Sequence, residues 1–379
     1  MQYTDEQIML RDMVREFAKN EIEPIAAEID ESGEYPMVNI KKMAELGLLG
    51  IPFSEEYGGA GMDTVSLALA IEEIAKACGS TCLSVAAHTS LCATPIYLFG
   101  TEEQKRKYLV PLAKGESIGS FCLTEPGSGS DAGAAKTTAV LKGDHYLLNG
   151  SKAYVTNGGV ADTFVVFAKT TPDRGVNGMS AFIVEKGFEG FVIGKKEDKL
   201  GVRASDTRLI SIDNCRVPKE NLLGKENEGF KQALITLDGG RIGIGAMAVG
   251  LAQAAMEKAA AYSKERIAFG QPIGEFQSIR GMLSDMATEI YAARLMVHEV
   301  ALLRDHKKPY TKQAAMAKLF ASEMAMRATK NAIQIFGGYG FCKDYPVERY
   351  WRDAKLTVIG EGTSEILRMV ISRELLKEF

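Results

Sequence analysis

Several classes of protein are excluded by what this sequence lacks. No run approaches the roughly 20 apolar residues needed to cross a bilayer, so no membrane association is expected. The segment after Met1 is charged and amphipathic and has no signal-peptide core, which favours the cytoplasm. The 45 Lys and Arg residues are balanced by 49 Asp and Glu residues, for a net charge of −4. Since no stretch is basic enough to follow a phosphate backbone, nucleic acid is not an expected partner.

Cysteine and proline are scarce. The six cysteines occur singly, without a CxxC pair or the spacing of a zinc site, so we expect neither a disulfide framework nor a metal centre. We expect reduced thiols in the core at Cys78, Cys82, Cys92, Cys122, Cys215 and Cys342. The 11 prolines are scattered, and 46% apolar with 25% charged residues is the balance of a folded globular protein.

The hydrophobic period divides the 379 residues into three parts. Residues 1–116 have a helical period, residues 117–226 consist of short β runs, and residues 227–379 are helical again. No helix of useful length separates the β runs, which favours an antiparallel sheet or barrel over βαβ units. We therefore predict an α+β protein with an N-terminal helical domain, a central antiparallel β domain and a C-terminal four-helix bundle.

Local sequence signals predict where individual helices, strands and turns lie. Thr4 with Gln7 resembles a capping box, and Asp63 or Thr64 can begin a helix that runs to Ala77. Further helices are predicted through 103–112 and near 227–262, 277–304 and 312–335. Strands are predicted around 146–148, 163–167 and 180–184, with a hairpin turn at 142–144.

The segment Gly127-Ser128-Gly129-Ser130-Asp131-Ala132 satisfies the G-x-G-x-x-A pattern of dinucleotide-binding folds. That pattern requires a helix opening at the glycines and an acidic residue about twenty positions later. Here β-like residues follow, and Gly150-Ser151-Lys152 lies at the later position. A nicotinamide fold is therefore not expected. A plain Gly-rich turn and a close backbone approach to some other ligand both remain open.

Two blocks of the middle part resemble the paired flavin-binding segments of the acyl-CoA dehydrogenase family. These blocks are Leu123-Thr124-Glu125-Pro126-Gly127-Ser128-Gly129-Ser130-Asp131 and Asn149-Gly150-Ser151-Lys152-Ala153-Tyr154-Val155-Thr156-Asn157-Gly158. Three later blocks agree in order with the same family. They are Glu265–Gly270 with Phe276-Gln277, Gln334–Gly340, and Ile359-Gly360-Glu361-Gly362-Thr363-Ser364-Glu365-Ile366. Five ordered blocks are far more specific than any one alone.

The resemblance implies an FAD-dependent enzyme whose flavin lies between the sheet and the C-terminal bundle. It assigns flavin-ring contacts to Phe121, Leu123, Thr124, Tyr154 and Thr156, with Gly129 and Ser130 in the adjoining loop. It assigns contacts with a neighbouring subunit's flavin to Arg266, Phe269, Gln277, Gln334, Ile335, Gly337 and Gly338, and further cofactor contacts to Thr363 and Glu365. A homo-oligomer, most simply a tetramer, is therefore expected.

The resemblance also identifies Glu361 as the base that removes a proton from the acyl α-carbon. The alternative interpretation is that Glu361 is an ordinary exposed glutamate in a loop. Some relatives carry the base just before Arg241, but here that position is Gly240, which cannot act. By the same resemblance Ser130, Asp238, Arg241 and Gly362 bind the acyl-CoA, whose thioester oxygen is held by the Glu361 amide and a flavin hydroxyl.

The residue before the base is Gly360, where many relatives have Tyr or Phe. Together with the small side chains Cys92, Ala93 and Thr94, it suggests an acyl cavity with little bulk beside the reacting carbons, which argues against narrow specificity for straight chains. A short to medium acyl chain is the expected substrate. No Lys or Arg lies between Ala77 and Gln104, which disfavours a glutaryl substrate, and His88 is expected to be a core histidine. We expect electron transfer to an electron-transfer flavoprotein. Alternatives are a branched or cyclic acyl-CoA dehydrogenase, an acyl-CoA oxidase, or a flavin-bearing binding protein that has lost catalysis.

Overall fold

The computed structural model describes residues 2–379 as a helical part, a sheet and a second helical part, in that order. The predicted α+β class is thereby confirmed. The boundaries between the parts fall in the connections before the first sheet strand and after the last one.

The N-terminal part surrounds one apolar helix with shorter ones. Its helices are α1 (Asp5–Phe17), α2 (Ala26–Ser32), α3 (Met37–Glu45), α4 (Thr64–Ala77), α5 (Gly79–Ala86), α6 (Thr94–Phe99), α7 (Glu102–Gln104) and α8 (Val110–Lys114). The predicted capping box is present, since Thr4 and Gln7 each accept the other's backbone N–H. Asp63 caps α4 by accepting from the Ser66 amide at 2.7 Å. α4 is buried almost throughout because it lies between α1 and the C-terminal helices.

A π-helical segment, Ala87–Ala93, joins α5 to α6 into one continuous helix from Gly79 to Phe99. This helix and Gly229–Glu265 are long and apolar enough, by length and composition alone, to cross a membrane. The sequence expectation that no segment has this character was therefore wrong. In this protein 78% of each apolar window is buried, as in the core helices of a folded domain.

The middle part is an eight-stranded sheet. Its strands are β1 (Gly119–Cys122), β2 (Thr138–Lys142), β3 (His145–Thr156), β4 (Thr163–Lys169), β5 (Met179–Glu185), β6 (Phe191–Lys196), β7 (Thr207–Pro218) and β8 (Leu222–Leu223). The order is β6-β7-β3-β2-β4-β5-β8, with β1 paired to β4. Most pairs are antiparallel as predicted, but β4 runs parallel to both β1 and β2, so the sheet is mixed. The predicted hairpin turn joins β2 to β3, and Gly143 within it has a left-handed backbone with φ 65°.

The C-terminal part consists of three long helices followed by two shorter ones, with a small hairpin between the first two long helices. Its elements are α9 (Gly229–Glu265), β9 (Ile267–Ala268), β10 (Gln271–Pro272), α10 (Gln277–Asp305), α11 (Thr311–Phe336), α12 (Val347–Thr357) and α13 (Ser364–Leu375). The three long helices coincide closely with the predicted ones. α9 packs against α4, α10 and α11, and its buried stretch is rich in Gly and Ala, which lets the neighbouring helices approach closely.

The three parts meet at Asp353 on α12. Its buried carboxylate accepts a hydrogen bond from the Val202 amide at 2.5 Å, just before β7. A Cβ built on Gly79 at the start of α5 would lie 2.7 Å from the same carboxylate. A Cβ on Gly201 would collide with the backbone carbonyl of Arg352. Two glycines thus permit the middle and N-terminal parts to close on α12.

The cysteines follow the expectation with one exception. All six are free, and five of them are buried. Cys342 is exposed, so the prediction of a core thiol was wrong there. Within residues 2–379 no group of three or more His, Cys, Asp or Glu side chains could hold a metal ion.

We expect Gly201→Ala to destabilise the protein by about 1–3 kcal/mol, because the new methyl group must displace backbone rather than a flexible side chain. Gly281→Ala is the matched control, since Gly281 is exposed within α10 and its Cβ would meet open space. The control should be neutral or stabilising, because Ala is the better helix former. Thermal unfolding of both variants measures the difference. An unchanged midpoint for Gly201→Ala would contradict the tight junction.

Candidate active site

Glu361 lies in the short connection between α12 and α13. Gly360 ends the preceding turn by donating its amide to the Leu356 carbonyl at 2.8 Å. Glu361 then adopts φ 55° and Gly362 φ 102°, and Thr363 caps α13 through the Ile366 amide. A left-handed backbone is strained for a glutamate, at a cost of about 1–2 kcal/mol. Such strain is typical of a side chain that is held in place for function.

The carboxyl group of Glu361 points into the protein, although the backbone of its loop reaches solvent. Its Oε2 atom is buried and has no hydrogen-bond partner among the described residues. Burial raises the pKa of Glu361 to about 7, while the positive charges of Lys318 and Arg241 act in the opposite direction. A carboxyl group with a pKa near neutrality can take up and release a proton at physiological pH.

Gly240 on α9 provides the space that this carboxyl group occupies. A Cβ built on Gly240 would overlap Glu361 Oε2 and would lie 2.8 Å from Leu91 Cδ2. The absence of a side chain at Gly240 therefore gives the Glu361 carboxyl group its space, in addition to leaving the helix without a second base. Any side chain there would displace the carboxyl group of Glu361.

Asp238 and Arg241 lie one turn apart on the same helix and are joined by a salt bridge of 2.5 Å. Thr311 at the start of α11 donates a hydrogen bond to the other Asp238 oxygen at 2.6 Å. Arg241 is buried, and its Nε atom has no hydrogen-bond partner among residues 2–379. A buried guanidinium N–H without a partner can bind a polar group of a ligand.

The helix Gly79–Phe99 passes beside this site. Leu91 contacts the Gly240 region, and the side chains of Ser90 and Ala86 lie opposite Gly243 one turn further along α9. From the sequence, Cys92 was expected to line the acyl cavity. Instead Cys92, within the π-helical segment, packs against Gly119 of β1 and so faces the sheet.

His88 is the core histidine that the sequence suggested. Its Nδ1 accepts from the Gly119 amide at 3.0 Å, and its Nε2 lies 3.1 Å from the Leu112 carbonyl. Complete burial lowers the pKa of His88 to about 4, so the ring is neutral. It connects the helix Gly79–Phe99 to the sheet.

The two sequence blocks from the middle part come together at the edge of the sheet. The Ala153 amide donates to the Thr124 carbonyl at 2.8 Å, and Ser120 donates to the Thr156 carbonyl at 2.5 Å. Between Lys152 and Val155 the pairing of β3 with β7 shifts by one residue, which is a β-bulge. The bulge turns Tyr154 outward.

Tyr154 has φ 55°, and 72% of its surface is exposed. Phe121 and Thr124 are half-buried beside it, and Leu123 is buried. An exposed aromatic ring next to hydroxyl groups and a sheet edge can hold a flat polar ring system.

A buried ion pair that sequence reasoning missed holds these two blocks together. Lys152 is fully buried and donates to Glu125 at 2.8 Å and to the Leu123 carbonyl at 3.1 Å. Glu125 also accepts from the Lys136 and Thr137 amides. Gly129 and Ser130 lie exposed at the tip of the same loop, and a 3₁₀ turn and β2 follow in place of the helix that a nicotinamide fold requires.

A second group of predicted residues surrounds a surface cavity of about 480 Å³ at the ends of α9 and α11. Arg266, Ile335, Gly337 and Gly338 line it. The Arg266 guanidinium lies 5.7 Å from the centre of the Tyr339 ring. A Cβ on Gly337 or Gly338 would meet no atom within 4 Å, so both glycines leave open space for a ligand.

The remaining predicted residues are accessible. Phe269 has 97% of its surface exposed, and Gln277 and Gln334 are also exposed. Thr363 is committed to capping α13, and Glu365 lies exposed in the first turn of that helix.

Lys318 on α11 was not among the site residues predicted from the sequence. It is fully buried, and its ammonium group donates to the Gly362 carbonyl at 2.7 Å. A lysine within the apolar run Ala314–Ala321 was the signal that could have revealed it, because lysine is almost never fully buried without a partner.

Comparison with known proteins gives a consistent result. The models of the acyl-CoA dehydrogenase N-terminal, middle and C-terminal domains match residues 4–116, 120–215 and 227–376. The short-chain specific acyl-CoA dehydrogenase of Clostridium acetobutylicum is 57% identical over 374 residues, which cover 99% of both chains.

Two solved structures are equally similar in shape. Butyryl-CoA dehydrogenase from Megasphaera elsdenii has a TM-score of 0.98 at 46% identity and covers 99% of both chains. A chain from work on the electron transferring flavoprotein of Acidaminococcus fermentans and flavin-based electron bifurcation also has a TM-score of 0.98. It is 54% identical and covers 100% of this chain and 99% of its own. The protein therefore belongs to the acyl-CoA dehydrogenase family of FAD-dependent oxidoreductases.

Proposed function

We propose that this enzyme dehydrogenates a short- to medium-chain acyl-CoA to the trans-2-enoyl-CoA, with Glu361 as the base and an electron-transfer flavoprotein as the acceptor. The observation that carries the role of Glu361 is its buried, unpartnered carboxyl oxygen in a strained loop, with a pKa raised to about 7. The names of the C. acetobutylicum and M. elsdenii relatives support the substrate class. The similar chain from work on the electron transferring flavoprotein of A. fermentans supports the acceptor.

Removal of the α-proton requires an ionised carboxylate close to the substrate's α-carbon. Glu361 satisfies the first condition above pH 7, and its unpartnered Oε2 can receive the proton without breaking an existing hydrogen bond. Bound FAD would accept the hydride that leaves the β-carbon. The thioester oxygen needs hydrogen-bond donors as negative charge develops on it. The Glu361 amide is one candidate, since no hydrogen bond among residues 2–379 uses it.

Arg241 and Asp238 would hold the CoA part of the substrate. Arg241 offers an unpartnered N–H, and Asp238 is fixed by both Arg241 and Thr311. Gly362 permits close backbone approach beside the base, and Ser130 at the exposed loop tip can reach the same ligand.

The residues present suit FAD. The bulge at Tyr154 and the sheet edge of Phe121, Leu123, Thr124 and Thr156 match a flat ring system with polar edges. The cavity at Arg266 offers a cation and two open glycines to a pyrophosphate. We propose that the two sites serve flavins of different subunits, with Phe269, Gln277, Gln334, Ile335, Thr363 and Glu365 adding contacts, in a cytoplasmic homotetramer.

We expect Glu361→Gln to retain FAD and bind acyl-CoA but to lose at least about 10²-fold in the rate of flavin reduction, because the amide keeps the shape and removes the base. Anaerobic stopped-flow bleaching of the flavin by butyryl-CoA measures the rate. Glu299→Gln, an exposed glutamate on α10, is the matched control and should behave like the parent. Near-parental bleaching by Glu361→Gln would place the base elsewhere.

We expect Arg266→Ala to lose FAD on dilution about 10- to 100-fold more readily, because a charge-assisted hydrogen bond to phosphate contributes roughly 1.5–3 kcal/mol. Flavin release is followed by fluorescence, and the oligomeric state by sedimentation. Arg174→Ala, which removes an exposed arginine of the middle part, is the control. A parental monomer that holds FAD stoichiometrically would contradict the shared site.

We expect kcat/KM to be greatest near butyryl- to hexanoyl-CoA and to decline gradually, since one methylene group changes binding by only about 1–3 kcal/mol. Turnover of a branched or alicyclic thioester should be measurable. Glutaryl-CoA should be nearly inert, because the helix Gly79–Phe99 has no cation for a second carboxylate and a buried unpaired charge is costly. Rates with butyryl-, octanoyl-, palmitoyl- and glutaryl-CoA test this. An optimum at palmitoyl- or glutaryl-CoA would overturn the size assignment.

A further inference from the structure

Lys318 is fully buried yet forms no salt bridge among the described residues. Its single hydrogen bond goes to the Gly362 carbonyl at 2.7 Å. Around it α9 contributes small residues, with the Lys318 Cα 4.0 Å from a Cβ built on Gly245. A buried ammonium group that donates only to a carbonyl has lost much of its hydration, so its position requires another source of stabilisation.

The charges that act on Lys318 come from three neighbouring elements. Glu361 lies in the loop, Arg241 on α9 and Glu365 at the start of α13. Arg241 is itself neutralised in part by Asp238. Burial lowers the pKa of Lys318 to about 8, and the negative charge of Glu361 is the largest influence that opposes this shift. The ammonium and the Glu361 carboxylate therefore favour each other's charged forms.

The hydrogen bond of Lys318 also acts on the backbone. It holds the carbonyl of the residue that directly follows Glu361, where two successive residues have positive φ. Because an unsupported left-handed glutamate is strained, an anchor on the adjoining peptide limits the other conformations open to the loop. Lys318 thus influences both the backbone conformation beside Glu361 and the ionisation of the Glu361 carboxyl group.

We propose that Lys318 is a positioning residue for the dehydrogenation reaction: its ammonium group anchors the Gly362 carbonyl and keeps the Glu361 carboxyl group ionised against Gly240. This proposal rests on the proposed role of Glu361 as the base. Through Lys318, α11 directly influences the pH at which the enzyme works. The rest of α11 forms part of the bundle core.

The test is the pH dependence of flavin reduction by butyryl-CoA in the FAD-loaded enzyme. The parent rate should rise with pH through about 7, as Glu361 loses its proton. In Lys318→Met the cation is gone, so the acid limb should move to higher pH by about one unit. Between pH 9 and pH 6 the variant should lose roughly tenfold more of its rate than the parent does, and its rate at pH 9 should itself be lower because the Gly362 carbonyl has lost its anchor.

Two further variants separate charge from hydrogen bonding. Lys318→Arg keeps a cation and should leave the acid limb within a few tenths of a unit of the parent's, whereas Lys318→Gln keeps a donor without charge and should shift it as Met does. Lys330→Met is the matched control, because Lys330 is an exposed lysine on the same helix. A loss of rate that is equal at every pH in Lys318→Met and Lys318→Gln would show a merely structural role and overturn the proposal.

A second measurement does not depend on turnover. The carboxyl stretching band of Glu361 can be titrated by infrared difference spectroscopy and assigned by its loss in Glu361→Gln. Its midpoint should rise in Lys318→Met and Lys318→Gln, and an unchanged midpoint would overturn the proposal. Failure of the base assignment is distinguishable, since Glu361→Gln would then reduce flavin at the parental rate whatever Lys318 does.

Discussion

The burial of one carboxyl group without a hydrogen-bond partner is the constraint on which this structure depends. Removing Glu361 Oε2 from water favours its protonated form, and the resulting pKa of about 7 allows the group to exchange a proton near neutrality. The surrounding features keep that arrangement stable. Gly240 leaves room for the carboxyl group, the left-handed loop directs it inward, and Lys318 and Arg241 prevent its pKa from rising further.

Gly240 also explains why only one base is present. The space above α9 at this point is filled by the Glu361 carboxyl group, and a side chain on residue 240 would occupy the same volume. A base on the helix and a base on the loop are therefore alternative occupants of one site. In this sequence the position on α9 is a glycine, and the position in the loop is the glutamate.

The same burial makes stability depend on pH. Glu361 and Asp353 each have a pKa raised to about 7 by burial, above the ordinary carboxyl values of an unfolded chain. The folded protein therefore binds these protons more tightly than the unfolded one. The stability that they contribute is fully present below the ordinary carboxyl pKa and is lost as the pH rises through about 7. Activity that needs ionised Glu361 thus develops in the pH range where this contribution to stability disappears.

Local sequence determined most of the secondary structure and the family. The capping box at Thr4, the hairpin at Gly143 and the three long helices follow from periodicity and turn chemistry that act over a few residues. Five ordered motifs pointed to Glu361 and to the flavin segments. Tertiary structure alone decided how distant residues meet. The parallel pairing of β4, the turn of Cys92 toward the sheet, the Lys152–Glu125 pair and the placement of Lys318 under Gly362 all join residues far apart in the chain. Their interactions arise from close packing and exclusion of water, which have no local signature in the sequence because they depend on which surfaces the folded chain brings together.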